Sequence, residues 1–234
     1  MKKTAIITGA SRGIGYAAAK KLGMDGCQVV LFATGEKERY KAAIDGLTQA
    51  GITWHYVRGS LDCREDRERL IRETVEKFGR IDILVNNAGI IKRCDAVDVT
   101  EADWDTVIDI NEKVVFFLSQ AFAKQYIKQQ DGGKIINVAS MLSYQGGIRV
   151  PSYTASKSAI MGLTKALANE WAKYNINVNA IAPGYMATNN TAQLRSDDDR
   201  SDEILSRIPA GRWGTPADMA GAVVYLASAA SDYV

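Results

Sequence analysis

The 234 residues predict one α/β domain built on a doubly wound parallel sheet with helices on both faces. Three observations carry this. Short apolar runs alternate with longer amphipathic ones along the chain. Ile81-Asp82-Ile83-Leu84-Val85 and Lys134-Ile135-Ile136-Asn137-Val138-Ala139 are continuous rather than alternating, as in strands covered on both faces. A glycine-rich turn leads from the first apolar run directly into the first amphipathic one.

The first strand is expected over 3–8, centred on Ala5-Ile6-Ile7, with a helix over 13–23 opened by the glycine turn. A strand at 27–33 precedes a helix at 36–49, and a strand at 52–57 precedes a helix at 65–78. The fourth strand, 81–85, leads to the longest helical stretch, 103–128. The fifth, 134–139, leads to a helix over 152–173, whose Ile160, Leu163, Leu167 and Trp171 repeat at helical spacing, and the sixth covers 176–182. Residues 184–215 break the rhythm. There Asn189-Asn190, Asp197-Asp198-Asp199 and Pro209 surround only a brief helical stretch, which reads as a substrate lid on a single domain spanning 1–234.

Composition narrows the function. Lys+Arg 29 nearly balance Asp+Glu 27, so neither a nucleic-acid nor a membrane surface is indicated. Met1-Lys2-Lys3 runs straight into Ala5-Ile6-Ile7, too short for a signal segment, and the expected location is the cytoplasm. Cys27, Cys63 and Cys94 lack any CxxC spacing, so no disulfide framework and no metal site is expected. The sole histidine, His55, lies in Ile52-Thr53-Trp54-His55-Tyr56-Val57 and reads as a strand residue. A Ser/His/Asp hydrolase is thereby disfavoured, and any acid or base must be another residue type.

The first turn reads Thr8-Gly9-Ala10-Ser11-Arg12-Gly13-Ile14-Gly15. Its glycines let the backbone turn tightly and approach a pyrophosphate, while the helix that follows offers free N–H groups and a positive partial charge. The spacing is G-x-x-x-G-x-G, and a strand-to-helix turn without a ligand is the alternative reading.

Tyr153 and Lys157 stand four apart at the start of a helix and so share a face. A cation near a phenol favours phenolate, so Lys157 is expected to make Tyr153 a usable base near neutral pH. A chance pair on an exposed helix is the alternative. Ser140 falls at the carboxyl end of a strand, where such sheets bind ligands, though alone it would be an ordinary turn serine.

Together with Asn86-Asn87-Ala88-Gly89, Asn111, Tyr153-Thr154-Ala155-Ser156-Lys157, Pro183-Gly184 and Thr188, these motifs resemble the short-chain dehydrogenase/reductase family over essentially the whole chain. The resemblance implies a Rossmann-type fold and hydride transfer with a nicotinamide cofactor. It makes Tyr153 the base for the substrate hydroxyl, Ser140 the group that holds the substrate oxygen, and Lys157 a ligand of the nicotinamide ribose as well. Asn111 would anchor a water linking Lys157 to solvent; a buried asparagine with a structural hydrogen bond is its alternative.

For the cofactor, the resemblance assigns Gly9, Ser11, Arg12, Gly13, Ile14 and Gly15 to the phosphate turn and places Asp62 beside the adenine. Asn87, Ala88 and Gly89 would run along the adenosine ribose. Pro183, Gly184 and Thr188 join them, Thr188 meeting the carboxamide or phosphates. Asp62 could instead be a solvated turn acid. Phe32-Ala33-Thr34-Gly35 supplies neither the acidic residue that would bind the ribose of NAD nor a replacing arginine. Glu36 is nearby, while Arg12 and Lys37 could suit a phosphate. NAD is the expectation on subfamily grounds, with NADP left open.

The segments 90–93, 140–152, 182–191 and 208–214 bring the resemblance closer to family members that act on sugar acids. Arg149, four residues before Tyr153, and Arg93, just after Asn86-Asn87-Ala88-Gly89, could each meet a carboxylate bidentately. Gln145, Asn189 and Asn190 could serve hydroxyls, and Tyr185 is assigned to the same pocket. Either arginine could equally form a surface or subunit ion pair. Family members usually follow a segment like Ser231-Asp232-Tyr233-Val234 with a further strand and an Asp-Gly-Gly turn, which help close the sheet and build a subunit interface. Val114-Val115-Phe116-Phe117-Leu118 and the helix from 152 suggest a helix-packed homo-oligomer, a tetramer by resemblance.

Three other functions compete. A gluconate, polyol or ketone reductase would use the same residues. A catalytically silent nucleotide-binding regulator would not need Ser140, Tyr153 and Lys157 together. A sugar-nucleotide epimerase shares Tyr and Lys but usually carries a larger C-terminal substrate domain.

Overall fold

The computed structural model describes residues 2–234. Six strands form one parallel sheet: β1 (Thr4–Thr8), β2 (Gln28–Ala33), β3 (Trp54–Arg58), β4 (Ile83–Asn86), β5 (Gly133–Val138) and β6 (Ile176–Ile181). Their spatial order is β3-β2-β1-β4-β5-β6. The order reverses direction between β1 and β4, which opens a crevice at the carboxyl ends of those two strands. The doubly wound sheet expected from the continuous apolar runs is therefore present.

Helices α1 (Gly13–Met24), α2 (Lys41–Gln49), α3 (Arg64–Phe78), α4 (Glu101–Ile108), α5 (Val114–Gln129) and α6 (Pro151–Trp171) provide the crossovers. Alternate strand residues feed two cores. Ala5, Ile7, Val29 and Leu31 pack with Leu22 of α1 and Leu47 of α2 on one face. Ile6, Val30 and Phe32 pack with Leu70 of α3, Phe122 of α5 and Leu167 of α6 on the other. Fully burying side chains of this size stabilises by about 1.5–3 kcal/mol each.

The helix expected at 103–128 begins earlier and is not uniform. A π-helical turn, Asp109–Lys113, joins α4 to α5, and Asn111 sits within it. Such turns widen the helix locally and often mark functional sites.

Beyond β6, the 184–215 segment holds a short α7 (Ala192–Arg195) and α8 (Asp198–Ser206). Its base is clasped: Ala187 N donates to Gly214 O at 2.7 Å and Gly214 N to Tyr185 O at 2.9 Å. The helix α9 (Pro216–Ala227) follows, and its Val223 and Leu226 enter the first core. The expected elements did not include α9. Its start is nevertheless written locally, as Thr215 capping, Pro216 at the first helical position and Asp218 returning the capping bond. Among the described residues no helix is long and apolar enough to cross a membrane.

Candidate active site

The glycine turn leaves β1 at the switch point. Gly9 and Gly13 take left-handed φ values of 65° and 59°, where a side chain would be strained. A Cβ at Gly15 would lie 2.4 Å from Asn87 Nδ2 and 2.5 Å from Gly9 O, so the turn is closed tightly against the loop after β4. Arg12 is the extended N-cap of α1; no side chain caps the helix and no acidic residue occupies its first turn. Those free N–H groups fit a diphosphate.

Asn87 braces this turn. Its Nδ2 donates to Thr8 O at 2.9 Å and to Gly9 O at 3.2 Å, while the backbone N–H groups of Asn87 and Ala88 both donate to Thr8 Oγ1. The Nδ2 of Asn87 thus holds the glycine turn. Thr8 was not among the expected site residues, although its hydroxyl organises both loops.

On the other side of the crevice, α6 presents Tyr153 and Lys157. The Lys157 ammonium is buried and donates to Val138 O, the last residue of β5, at 2.6 Å. Burial pushes its pKa down to about 8. Its Nζ lies 5.7 Å from the Tyr153 ring centroid.

The phenol of Tyr153 is shifted upward by its own burial, and the Ser140 hydroxyl and the Arg93 guanidinium pull it partly back. Lys157 shares the face of Tyr153 and is anchored on the end of β5, while Arg93 is a further cation that pulls the phenol's pKa down.

Ser140, buried at the end of β5, accepts a hydrogen bond from Leu142 N at 3.1 Å, which leaves its own proton for another acceptor. Ser143 supports the arrangement by donating to Lys157 O at 2.7 Å and accepting from Ser140 N at 3.3 Å.

Asn111 is fully buried in the π-turn, and both ends of its amide are engaged. Ile90 N donates to Oδ1 at 2.9 Å, while Nδ2 donates to Ile90 O at 2.9 Å and to Ser156 Oγ at 3.2 Å. Ser156 in turn donates to Tyr153 O at 2.9 Å. The side chain of Asn111 therefore ties the loop after β4 to α6. A Cβ at Gly89 would meet Asn111 Oδ1 at 3.2 Å and Lys157 Nζ at 3.6 Å, so these two groups are neighbours across a glycine.

The two arginines differ. Arg93 is half-buried, and its Nη2 donates to Asn190 O at 2.8 Å. Arg149 is exposed, adopts φ 63° and pairs with Asp95 at 2.8 Å. Tyr185 stacks edge-on against Trp213, with centroids 5.5 Å apart, at the base of the 184–215 segment. Thr188 lies beside the glycine turn, its methyl 3.7 Å from where a Cβ of Gly13 would be. Pro183 is buried and accepts from Met141 N at 3.0 Å, with Gly184 exposed after it. Ser11 and Ile14 line the turn, half-buried.

Gln145 and Asn189 are exposed and make no side-chain hydrogen bond among the described residues. Asp62 is exposed after β3; it borders a cavity of about 710 Å³ that also touches Arg64, Lys113 and Lys124 but none of Ser140, Tyr153 or Lys157. His55 lies in β3, half-buried beside Glu73 and Phe78 and outside the crevice.

The pattern described as short chain dehydrogenase matches residues 3–199. Over 232 residues the chain is 57% identical to the 2-dehydro-3-deoxy-D-gluconate 5-dehydrogenase of Dickeya dadantii, covering 99% of this chain and 90% of that one. It is 56% identical to the Escherichia coli protein of the same name, with the same coverage. The crystal structure of a gluconate 5-dehydrogenase from Burkholderia cenocepacia in complex with NADP and tartrate superposes with a TM-score of 0.93 at 35% identity, covering all of this chain and 91% of that one.

Proposed function

The chain belongs to the short-chain dehydrogenase family, and on that premise we propose that it transfers a hydride between NAD(H) and a sugar acid, interconverting 2-dehydro-3-deoxy-D-gluconate and 3-deoxy-D-glycero-2,5-hexodiulosonate. The observation that carries the substrate is the 57% identity, sustained over 99% of the chain, to a protein named for that reaction. The gluconate 5-dehydrogenase likeness supports gluconate as the second reading, and its NADP keeps the phosphorylated cofactor open.

The cofactor would rest on the turn from Gly9 to Gly15, with Asp62 at the adenine, Asn87, Ala88 and Gly89 along the dinucleotide, and Pro183, Gly184 and Thr188 closing over it. When bound, nicotinamide supplies the hydride acceptor or donor. Tyr153 exchanges a proton with the substrate oxygen at its phenol. As a phenol it donates to a ketone, and as a phenolate it takes the proton of an alcohol; burial raises its pKa, while Ser140 and Arg93 lower it. Ser140 donates its free hydroxyl proton to the same oxygen. Lys157, anchored on Val138 O, is the buried charge behind Tyr153, and its lowered pKa suits proton exchange. Asn111 positions α6 through Ser156.

Arg93 takes the substrate carboxylate, with Tyr185 and Asn189 walling the pocket from a lid over 184–215. The pairing of Arg149 with Asp95 supports a structural place for it, and exposed Gln145 would reach substrate only on closure. The enzyme is proposed to act in the cytoplasm as a homo-oligomer, probed by the exposed Phe117 on α5; light scattering after gel filtration reads its order.

The test is a substrate panel followed at the reduced-nicotinamide absorbance band, with keto-deoxygluconate, gluconate and 2-deoxygluconate each run with NAD and NADP. The greatest kcat/KM is expected with keto-deoxygluconate. No absorbance change with that compound would sink the substrate reading, and turnover of gluconate alone would install the second.

A further inference from the structure

The edge of the crevice beside β2 carries a charge arrangement that the glycine turn does not explain. Thr8 is opposite Phe32 and Ala33 is opposite Arg58 in the sheet, so Thr34 and the residues after Arg58 stand next to the turn from Gly9 to Gly15. A hollow of about 610 Å³ opens there, bordered by Thr34, Arg58, Ser60 and Arg69. At this place in a doubly wound sheet a dinucleotide presents the 2′-position of its adenosine ribose.

Every arginine bordering the hollow is matched by a carboxylate. Arg58 forms an ion pair with Glu36, the first acidic residue after β2, and also leans on Thr34 O at 3.4 Å. Arg69 pairs with Asp66 at 2.7 Å and Glu73 at 3.4 Å while donating to Arg58 O. Lys37, expected to suit a phosphate, instead lies over the Trp54 ring at 4.7 Å. Tyr56 and Tyr40 fix the intervening backbone, Tyr56 donating to Gly35 O and Tyr40 accepting from Gly35 N. Glu36 is thus held on Arg58 by a short, braced loop.

We propose that the Glu36–Arg58 ion pair balances the choice between a dinucleotide with a free 2′-hydroxyl and one with a 2′-phosphate, each partner holding in check the preference the other would impose. Each partner cancels the other. A free Glu36 carboxylate would accept from the ribose hydroxyls and repel a phosphate; a free Arg58 guanidinium would bind the phosphate. Paired, they present the 2′-position with little net charge. The inference rests on the dinucleotide reading above and assigns selectivity to a residue of β3 rather than to the end of β2 alone.

The experiment measures kcat/KM for NAD and NADP, with one sugar-acid substrate, in the wild type, Arg58→Gln, Glu36→Gln and the double variant. Direct binding of NADH and NADPH is followed in parallel by nicotinamide fluorescence. Because both side chains are more than half exposed, each single change should move the NAD/NADP ratio by up to about fivefold. Arg58→Gln should move it towards NAD and Glu36→Gln towards NADP. The double variant should return close to the wild type, and all shifts should shrink at high salt.

Single variants whose ratios stay at the wild-type value, or move in the same direction, overturn the inference while leaving the dehydrogenase reading intact. A wild type that binds neither NADH nor NADPH overturns both.

Discussion

Arg93 and Asn190 are joined across 97 positions of sequence by a 2.8 Å hydrogen bond from the guanidinium to the backbone carbonyl. The bond ties the loop after β4 to the 184–215 segment, and the same guanidinium pulls down the pKa of the Tyr153 phenol. One arginine therefore bonds the 184–215 segment and acts electrostatically on the Tyr153 phenol.

Arg93→Gln should raise KM for a sugar acid by roughly ten- to a hundredfold, the range expected for losing one hydrogen bond to a charged group. It should also move the pH profile. Ketone reduction uses the Tyr153 proton and falls on the alkaline side; alcohol oxidation uses the phenolate and rises with pH. Removing a positive charge that lowers the phenol's pKa shifts both limbs to higher pH. Arg149→Gln, whose charge is spent on Asp95, is the control; an equal KM increase there would remove Arg93 from its special place.

Tyr153→Phe keeps the ring and deletes the proton. Turnover should drop by about 10²–10⁴. The NADH dissociation constant, read by fluorescence, should stay within a small factor of the wild type, and residual turnover near the original rate would exclude Tyr153 as the proton-transfer group.

Lys157→Met should make the protein more stable and inactive. In the fold the ammonium titrates near 8, against about 10.4 when unfolded. Between those values the unfolded chain holds a proton that the folded chain has released, so stability rises with pH through that window. Below pH 8 both states are charged and the full desolvation cost is present. Methionine removes that cost, and a gain on the order of 2 kcal/mol at pH 7 is expected, reduced by the lost bond to Val138 O. Urea midpoints at pH 7 and pH 9.5 check this. The variant should gain most at pH 7, and a lower midpoint there would contradict the burial argument.

Gly15→Ala probes the closure of the phosphate turn. Its methyl would press on Asn87 Nδ2 and Gly9 O, and the second is backbone that cannot step aside. Overpacking of this kind typically costs about 1–3 kcal/mol. A lower melting temperature together with weakened NADH binding is expected; unchanged binding would show that the turn tolerates opening.

Much of the fold was legible because it is encoded in local periodicity. Ala5, Ile6 and Ile7 announce a strand covered on both sides, and Ile160, Leu163 and Leu167 announce a helix face, whatever packs against them. The glycine turn could be located from its place between two such elements. The helix α9 was missed although Thr215, Pro216 and Asp218 spell its beginning, and the π-turn around Asn111 carried no comparable signal. Extra turns of that kind are settled by what the helix must pack against.

Residue spacing alone places Tyr153 and Lys157 on one helix face and Ser140 at the end of a strand. It could not say what anchors the lysine. Folding brings Val138 O within 2.6 Å of Lys157 and Arg93 into the phenol's field, while Asp95 takes Arg149. Spacing along a chain fixes which way neighbouring side chains face; the partner a charge chooses depends on burial and on groups tens of residues away, and only the packed structure supplies those.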